Sequence, residues 1–180
     1  MWIRPAVAGD AAELGRVMVE SWLAAHRGQM PEALWEKRVA EWTPEVSAAG
    51  WARVLAAQAE AAVPDDVLLV AEDEGAVIVG VLYGDLADDG VTGEVGAVYV
   101  SYDHHREGIG AALLRAGAAE LRRLGASALR ISVLTDNVLA RRFYEGMGGV
   151  EVGQGTFDEE GTLLATTVYE WSDVSALAGG

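Results

Sequence analysis

Residues 95–110 read VGAVYVSYDHHREGIG. An apolar run of strand length enters a turn holding Gly108 and Gly110, and a helical pattern leaves it. The first N–H groups of a helix lack partners within it, and the aligned peptide dipoles stand behind them. Such a start seats an anion, and glycine lets the backbone approach a phosphate closely. Arg106 adds a cation beside it. The stretch therefore reads as a pyrophosphate seat. Two other phosphate loops fail. A Walker A loop ends in Gly-Lys-Ser/Thr, and Lys37, the only lysine, lies far away. A dinucleotide fingerprint needs glycine three positions past Gly110, where Leu113 stands. It also wants an acid about 20 residues on, where Ala128, Leu129 and Arg130 stand. A lone Gly-x-Gly has a plain alternative: a helix-start turn that binds nothing.

The flanking pattern gives this turn a fold. Downstream, Ile109, Leu113, Gly117, Leu121 and Leu124 recur at helical spacing until Gly125. Leu129 to Leu134 reads as a strand, Asn137 to Met147 as a helix, and Val150 to Phe157 and Leu163 to Trp171 as two further strands. Upstream, Met1 to Pro5 is a short strand. Three helices follow: one N-capped at Gly9-Asp10 and closed at Gly28, one opened by Pro31-Glu32, and one opened by Thr43-Pro44-Glu45. After Pro64-Asp65-Asp66 the period shortens. Val67 to Ala71 and Ala76 to Tyr83 form a hairpin, and Val91 to Val100 is the next strand. The order predicts one α/β (α+β) domain over residues 1–175, with a disordered tail at 176–180. Its sheet is mixed, mostly antiparallel, of about seven strands, with helices on both faces.

Composition bounds the function. The 180 residues suit one domain, and 51% are apolar. No apolar run approaches the roughly 18 to 20 residues of a membrane span, so no membrane role is expected. Met1-Trp2-Ile3-Arg4-Pro5 lacks the basic-then-apolar pattern of a signal peptide, which favours the cytoplasm. Without cysteine there is no disulfide, no thiolate metal site and no thiol nucleophile. No His/carboxylate spacing suggests a metal. The formal charge of −15 argues against nucleic acid as a partner, which needs a basic face. It suits a cationic small molecule, though solubility alone also explains an acidic chain.

A second segment changes the weight of the first. Thr135 to Gly149 reads TDNVLARRFYEGMGG and follows the Leu129–Leu134 strand. Together, Gly108-x-Gly110, Asn137-x-x-Ala140-x-x-Phe143-Tyr144 and Gly148 resemble the GNAT superfamily of N-acetyltransferases. The opening Ile3-Arg4-Pro5-Ala6 with Asp10 is similar to that family's first strand and helix. His105 stands where the family has Gln or Arg, Arg106 where it has a small residue, and Gly149 where it often has an aromatic one.

The resemblance implies a direct attack by a neutral amine on the thioester of acetyl-CoA, with no acyl-enzyme. The donor's pantetheine would line up along Val98, Tyr99 and Val100, with the Val98 N–H on the thioester carbonyl. The backbone of His105, Arg106, Glu107, Gly108, Ile109, Gly110 and Ala111 would hold the pyrophosphate, and Asn137 would contact the donor. Tyr144 is the expected general acid, a phenol matched to a departing thiolate; the alternative is a core tyrosine. Glu94 is the expected general base. On a regular strand, residues 94, 96, 98 and 100 share a face, so Glu94 would point at the acyl site, acting directly or through water. A strand bulge would reverse that parity. His26 is a minor candidate for acceptor contact, and His104 and His105 for the phosphate side. Trp22, Trp35, Trp42 and Trp51 are expected mostly in the core, with one or two lining an acceptor pocket. The expected partner is a small-molecule amine, with a homodimer as the family's habit. The other readings are a protein N-terminus or lysine as acceptor, a non-catalytic acyl-CoA-binding regulator, and a plain structural domain.

Overall fold

The computed structural model describes residues 1–61 and 65–178. Strand β1 (Trp2–Pro5) is followed by α1 (Ala11–His26), α2 (Glu32–Glu41) and α3 (Pro44–Glu60). Then come β2 (Asp66–Glu72), β3 (Ile78–Leu86) and β4 (Thr92–Val100). Helix α4 (Ile109–Leu124), β5 (Ala128–Leu134), α5 (Val138–Gly146), β6 (Val150–Glu159), β7 (Thr162–Trp171) and α6 (Val174–Ala178) complete the chain. The seven strands form one sheet in the order β1-β2-β3-β4-β5-β7-β6. Only β4 and β5 run parallel; every other pair is antiparallel.

Two cores sandwich this sheet. On one face α4 buries Ile109, Leu113, Leu114 and Leu121 against Leu69, Leu82, Val95, Leu129 and Ile131. A fully buried leucine is worth roughly 1.5–3 kcal/mol, so the α4 stripe is a principal source of stability. On the other face α1 and α3 place Leu14, Val17, Met18 and Leu55 on Leu68, Val70, Val81 and Ala97. Alternation along β2 feeds both layers, Leu69 to one and Leu68 and Val70 to the other.

Two local expectations change. Asp10 does not cap α1 through its side chain. Its carboxylate instead accepts from Arg4 at 2.6 and 3.0 Å and from the Val7 N–H at 2.7 Å. Arg4 also reaches Glu72, so the group ties β1, β2 and the start of α1 together. Part of the segment expected as a disordered tail, residues 176–178, is helical. Residues 174–178 are helical, and Val174 and Leu177 are buried in the α4 core. Pro64, expected to mark the start of the sheet, lies outside the described residues, and so do residues 179–180. Gly149 has a steric explanation. A Cβ there would stand 2.8 Å from the Trp171 ring, which fills the space an aromatic side chain would take.

Candidate active site

Strand β4 is joined to β5 for four residues only, Thr92–Val95 opposite Ala128–Ile131. Beyond them, Ser132 to Leu134 pair with β7, and Ala97 to Val100 pair with β3. The two parallel strands therefore diverge, and a gap opens between Val98–Val100 and the end of β5. Its origin is a bulge. Tyr83 is opposite Ala97 but Gly84 is opposite Val95, which leaves Gly96 as an extra residue.

The direction of the free backbone groups follows from the ladder. Antiparallel partners alternate between bonded and non-bonded pairs. Ser101 N–H donates to Val79 O at 2.8 Å, so the Tyr99–Val81 pair is also bonded to β3. Val98 and Val100 then turn their N–H and C=O groups toward the gap. The Val100 carbonyl accepts from His105 Nε2 at 2.9 Å. Val98 N–H, Val98 C=O and Val100 N–H are left for a ligand. Tyr99, expected to contribute backbone to the donor, spends it on β3, and its side chain packs on the α1/α3 face.

At the end of β4 the chain makes one 3-10 turn, Tyr102–His104, and then α4 begins. The His105 N–H is used within that turn, donating to Tyr102 O at 3.1 Å. The first bond of α4 runs from Ala112 N–H to Gly108 O, so the N–H groups of Ile109, Gly110 and Ala111 are free of helical partners. Arg106 and Gly108 sit at φ +68° and +83°. That left-handed conformation comes easily to glycine but strains arginine. Alternating backbone of this kind gathers N–H groups into an anion-binding concavity. The space beside Gly108 is open, with no atom within 4 Å of an added Cβ. The Gly110 Cβ vector points elsewhere, to Phe143 at 3.5 Å and Val100 at 3.8 Å. Outside the turn, Glu107 holds His104 at 3.2 Å.

Helix α5 brings its side chains to the same gap. Tyr144 is 6% exposed and packs against Phe143, Tyr169 and Trp171. Burial holds its phenol well above the ordinary range, and neighbouring Tyr99 adds to the effect. Its hydroxyl has no protein hydrogen bond among the described residues. Tyr144 is therefore a neutral donor with a free hydroxyl. Asn137 is buried, and its Oδ1 caps α5 by accepting from Ala140 N–H at 3.1 Å. Only its amide nitrogen remains for a ligand.

Glu94 is on the other side from that expected. Val95, Val98 and Val100 face α4, whereas Ala97 and Tyr99 face α1 and α3. The extra residue at Gly96 reverses the parity, so Glu94 shares a face with Ala97 and Tyr99 rather than with Val98 and Val100. It is exposed, beside its register partner Arg130. Val98 lies four residues on, on the order of 10 Å along the strand.

The α1/α3 side carries a cluster that spacing did not reveal. Trp22 stacks on His26 with centroids 4.6 Å apart and on Trp35 at 6.2 Å, and meets Trp42 edge-on at 5.5 Å. Arg38 lies over both Trp22 and Trp42, about 5 Å from each ring. Its guanidinium pairs with Glu159, which is 2% exposed. Lys37 pairs with Glu160 at 2.6 Å. The β6–β7 hairpin tip thus clasps α2. Trp22 and Trp42, offered as faces for an external cation, already hold an internal one. Trp51 packs on Tyr83 instead, at 5.7 Å.

Among the described residues, no cluster of His, Cys, Asp and Glu could hold a metal, and no helix is long and apolar enough to cross a membrane. Comparisons with known proteins agree with this fold. The model of the acetyltransferase (GNAT) family matches residues 28–148. The uncharacterized N-acetyltransferase YuaI of Bacillus subtilis (strain 168) is 32% identical over 113 residues, 61% of this chain. The match spans 65% of that protein's length. The PaiA N-acetyltransferase of Thermoplasma acidophilum, solved in complex with coenzyme A, has a similar fold. Its TM-score is 0.67 at 18% identity, over 92% of this chain and 96% of that one. YncA of Salmonella typhimurium, solved with acetyl-CoA, has a TM-score of 0.69 at 22% identity, over 95% and 92% of the two chains. A splayed β4–β5 pair, an open glycine turn and a family match over more than half of its residues lead to one conclusion: the chain belongs to the acetyltransferase (GNAT) family.

Proposed function

We propose that this chain transfers an acetyl group from acetyl-CoA to the nitrogen of a small cationic amine, by direct attack. The observation that carries the reading is the gap in the sheet. Val98 and Val100 turn unpaired backbone groups into it, and the free amides of Ile109, Gly110 and Ala111 stand at one end. An extended amide-bearing arm joined to a diphosphate fits both parts at once. Solved relatives of this fold hold coenzyme A or acetyl-CoA.

In this reading Arg106 and the amides of residues 106–111 hold the diphosphate, and the amide nitrogen of Asn137 contacts the donor. The Val98 N–H donates to the thioester oxygen as negative charge builds on it. The amine's lone pair forms the new C–N bond, the C–S bond breaks, and the Tyr144 hydroxyl gives its proton to the departing sulfur. Because burial opposes ionisation of that phenol, the proton returns to Tyr144 readily from water. Glu94, too far along the strand to contact the acyl carbon, anchors the cationic acceptor, and the proton that the amine sheds goes to a separate base on the α1/α3 face. The net charge of −15 supports a cationic acceptor by raising its local concentration.

A homodimer and a cytoplasmic location go with this proposal. Strand β6 is an edge strand with Val150, Val152 and Phe157 exposed, which suits self-association. The test is thiol release from acetyl-CoA across a panel of amines. The chain has no cysteine, so every thiol counted comes from the donor. Turnover with a small amine supports the reading. Tight acetyl-CoA binding with no turnover on any amine makes the chain a regulator, and absence of acetyl-CoA binding removes the reading altogether.

A further inference from the structure

We propose that His26 accepts the proton of the attacking amine through its Nε2 atom, a role resting on the acyl-transfer reading above.

The imidazole is placed by α1 and held in one tautomer. Its Nδ1 lies 2.9 Å from the Trp22 carbonyl. A carbonyl oxygen only accepts, so Nδ1 carries the hydrogen and Nε2 keeps the lone pair. The ring plane is pinned by stacking on Trp22 at 4.6 Å. The residue is 6% exposed, and its hydrogen bond to the Trp22 carbonyl uses Nδ1 and leaves Nε2 without a partner among the described residues. A buried, uncommitted lone pair is what a proton acceptor requires.

Its position matches the gap. The His26 ring meets the Tyr99 ring at 6.2 Å. Tyr99 adjoins Val98, whose N–H points at the acyl site, so the imidazole stands on the α1/α3 face beside the residue next to the thioester. Tyr144 belongs to the α4 core on the other face.

Glu94 leaves this task open. It is on the right face but roughly 10 Å down the strand from Val98, whereas the His26 ring meets the ring of Tyr99, the next residue to Val98. Burial lowers the His26 pKa, which keeps the ring neutral and ready at pH 7. The surrounding titratable groups are Tyr99 from β4 and, beyond Trp22, the Arg38–Glu159 pair from α2 and β6.

The experiment compares wild type with His26→Asn, which keeps a donor for the Trp22 carbonyl and deletes Nε2. Acetyl-CoA affinity is measured by titration calorimetry. Acetyl transfer is followed to methylamine, protonated at neutral pH, and to hydroxylamine, which is not. The expected result is acetyl-CoA affinity within about twofold of wild type. Transfer to methylamine falls about 100-fold, and transfer to hydroxylamine falls no more than about fivefold. In wild type, the acidic limb of kcat/KM for methylamine should coincide with the His26 titration seen by nitrogen NMR, and that measurement does not depend on how the variant folds. Equal losses with both amines, unchanged methylamine transfer, or an acidic limb unrelated to His26 would each overturn the role while leaving acyl transfer intact. No transfer by wild type to any amine would instead bring down the acyl-transfer reading, and this one with it.

Discussion

The two sides of the gap are built differently. The side proposed for the donor is made of backbone: Val98 and Val100 on β4, the turn at 106–108 and the opening amides of α4. All of it comes from one continuous stretch of about fifteen residues. The side on which the proposal puts the acceptor is made of side chains drawn from α1, α2, β4 and the β6–β7 hairpin. Its ion pair joins residues 38 and 159. A backbone seat tolerates side-chain changes but not changes of conformation. A side-chain wall tolerates backbone drift but is sensitive to each partner. The donor side can therefore stay constant while the acceptor side changes.

Substitutions can break this contrast. The largest effect is expected from Gly110→Trp, whose indole would be driven into Phe143 and Val100. Loss of measurable acetyl-CoA binding by calorimetry is expected; retained affinity would move the seat elsewhere. Tyr144→Phe removes one oxygen and no packing. It should lower kcat by about 100-fold with little change in acetyl-CoA affinity. Steady-state kinetics beside calorimetry separate the two, and unchanged turnover would remove Tyr144 from the mechanism.

Arg38→Ala tests the opposite side. It leaves Glu159 buried without its partner, at about 3 kcal/mol, visible as a lower midpoint in urea unfolding. Acetyl-CoA affinity of the folded fraction should stay the same. Replacing both members, Arg38→Met with Glu159→Leu, should recover most of the stability.

The smallest effect concerns pH. Burial lowers the pKa of His26, so the unfolded chain binds its proton more readily. The contribution is present above the ordinary histidine value of about 6.5 and is lost as pH falls through the lower folded value. Wild type should therefore lose stability below about pH 6.5, and His26→Asn should flatten that slope. Thermal unfolding across this pH range is the measurement.

The same contrast explains what could be read in the sequence. The order of elements from β1 to β7, the Gly108–Gly110 turn and the Asn137–Tyr144 helix are local patterns, and the folded chain carries all of them. The face of Glu94 was not legible, because one extra residue at Gly96 leaves the apolar alternation of VGAVYV almost unchanged while reversing its meaning. The arginine held by Trp22 and Trp42 was also hidden, since its counter-charge is 121 positions away. Helix α6 was missed because five residues beside two glycines present barely one turn of periodicity. Asp10 looked like a cap by residue type, but the guanidinium of Arg4 offers its carboxylate two donors at once.

The single residue of slack in β4 has a consequence for engineering. Removing Gly96 would erase the bulge without changing any face, because Val95 and Ala97 would then alternate as direct neighbours and Glu94 would stay with Ala97 and Tyr99. Turning Glu94 beneath α4 would take the opposite change, one residue added to β3 across from Gly96, so that every residue of β4 again has a partner.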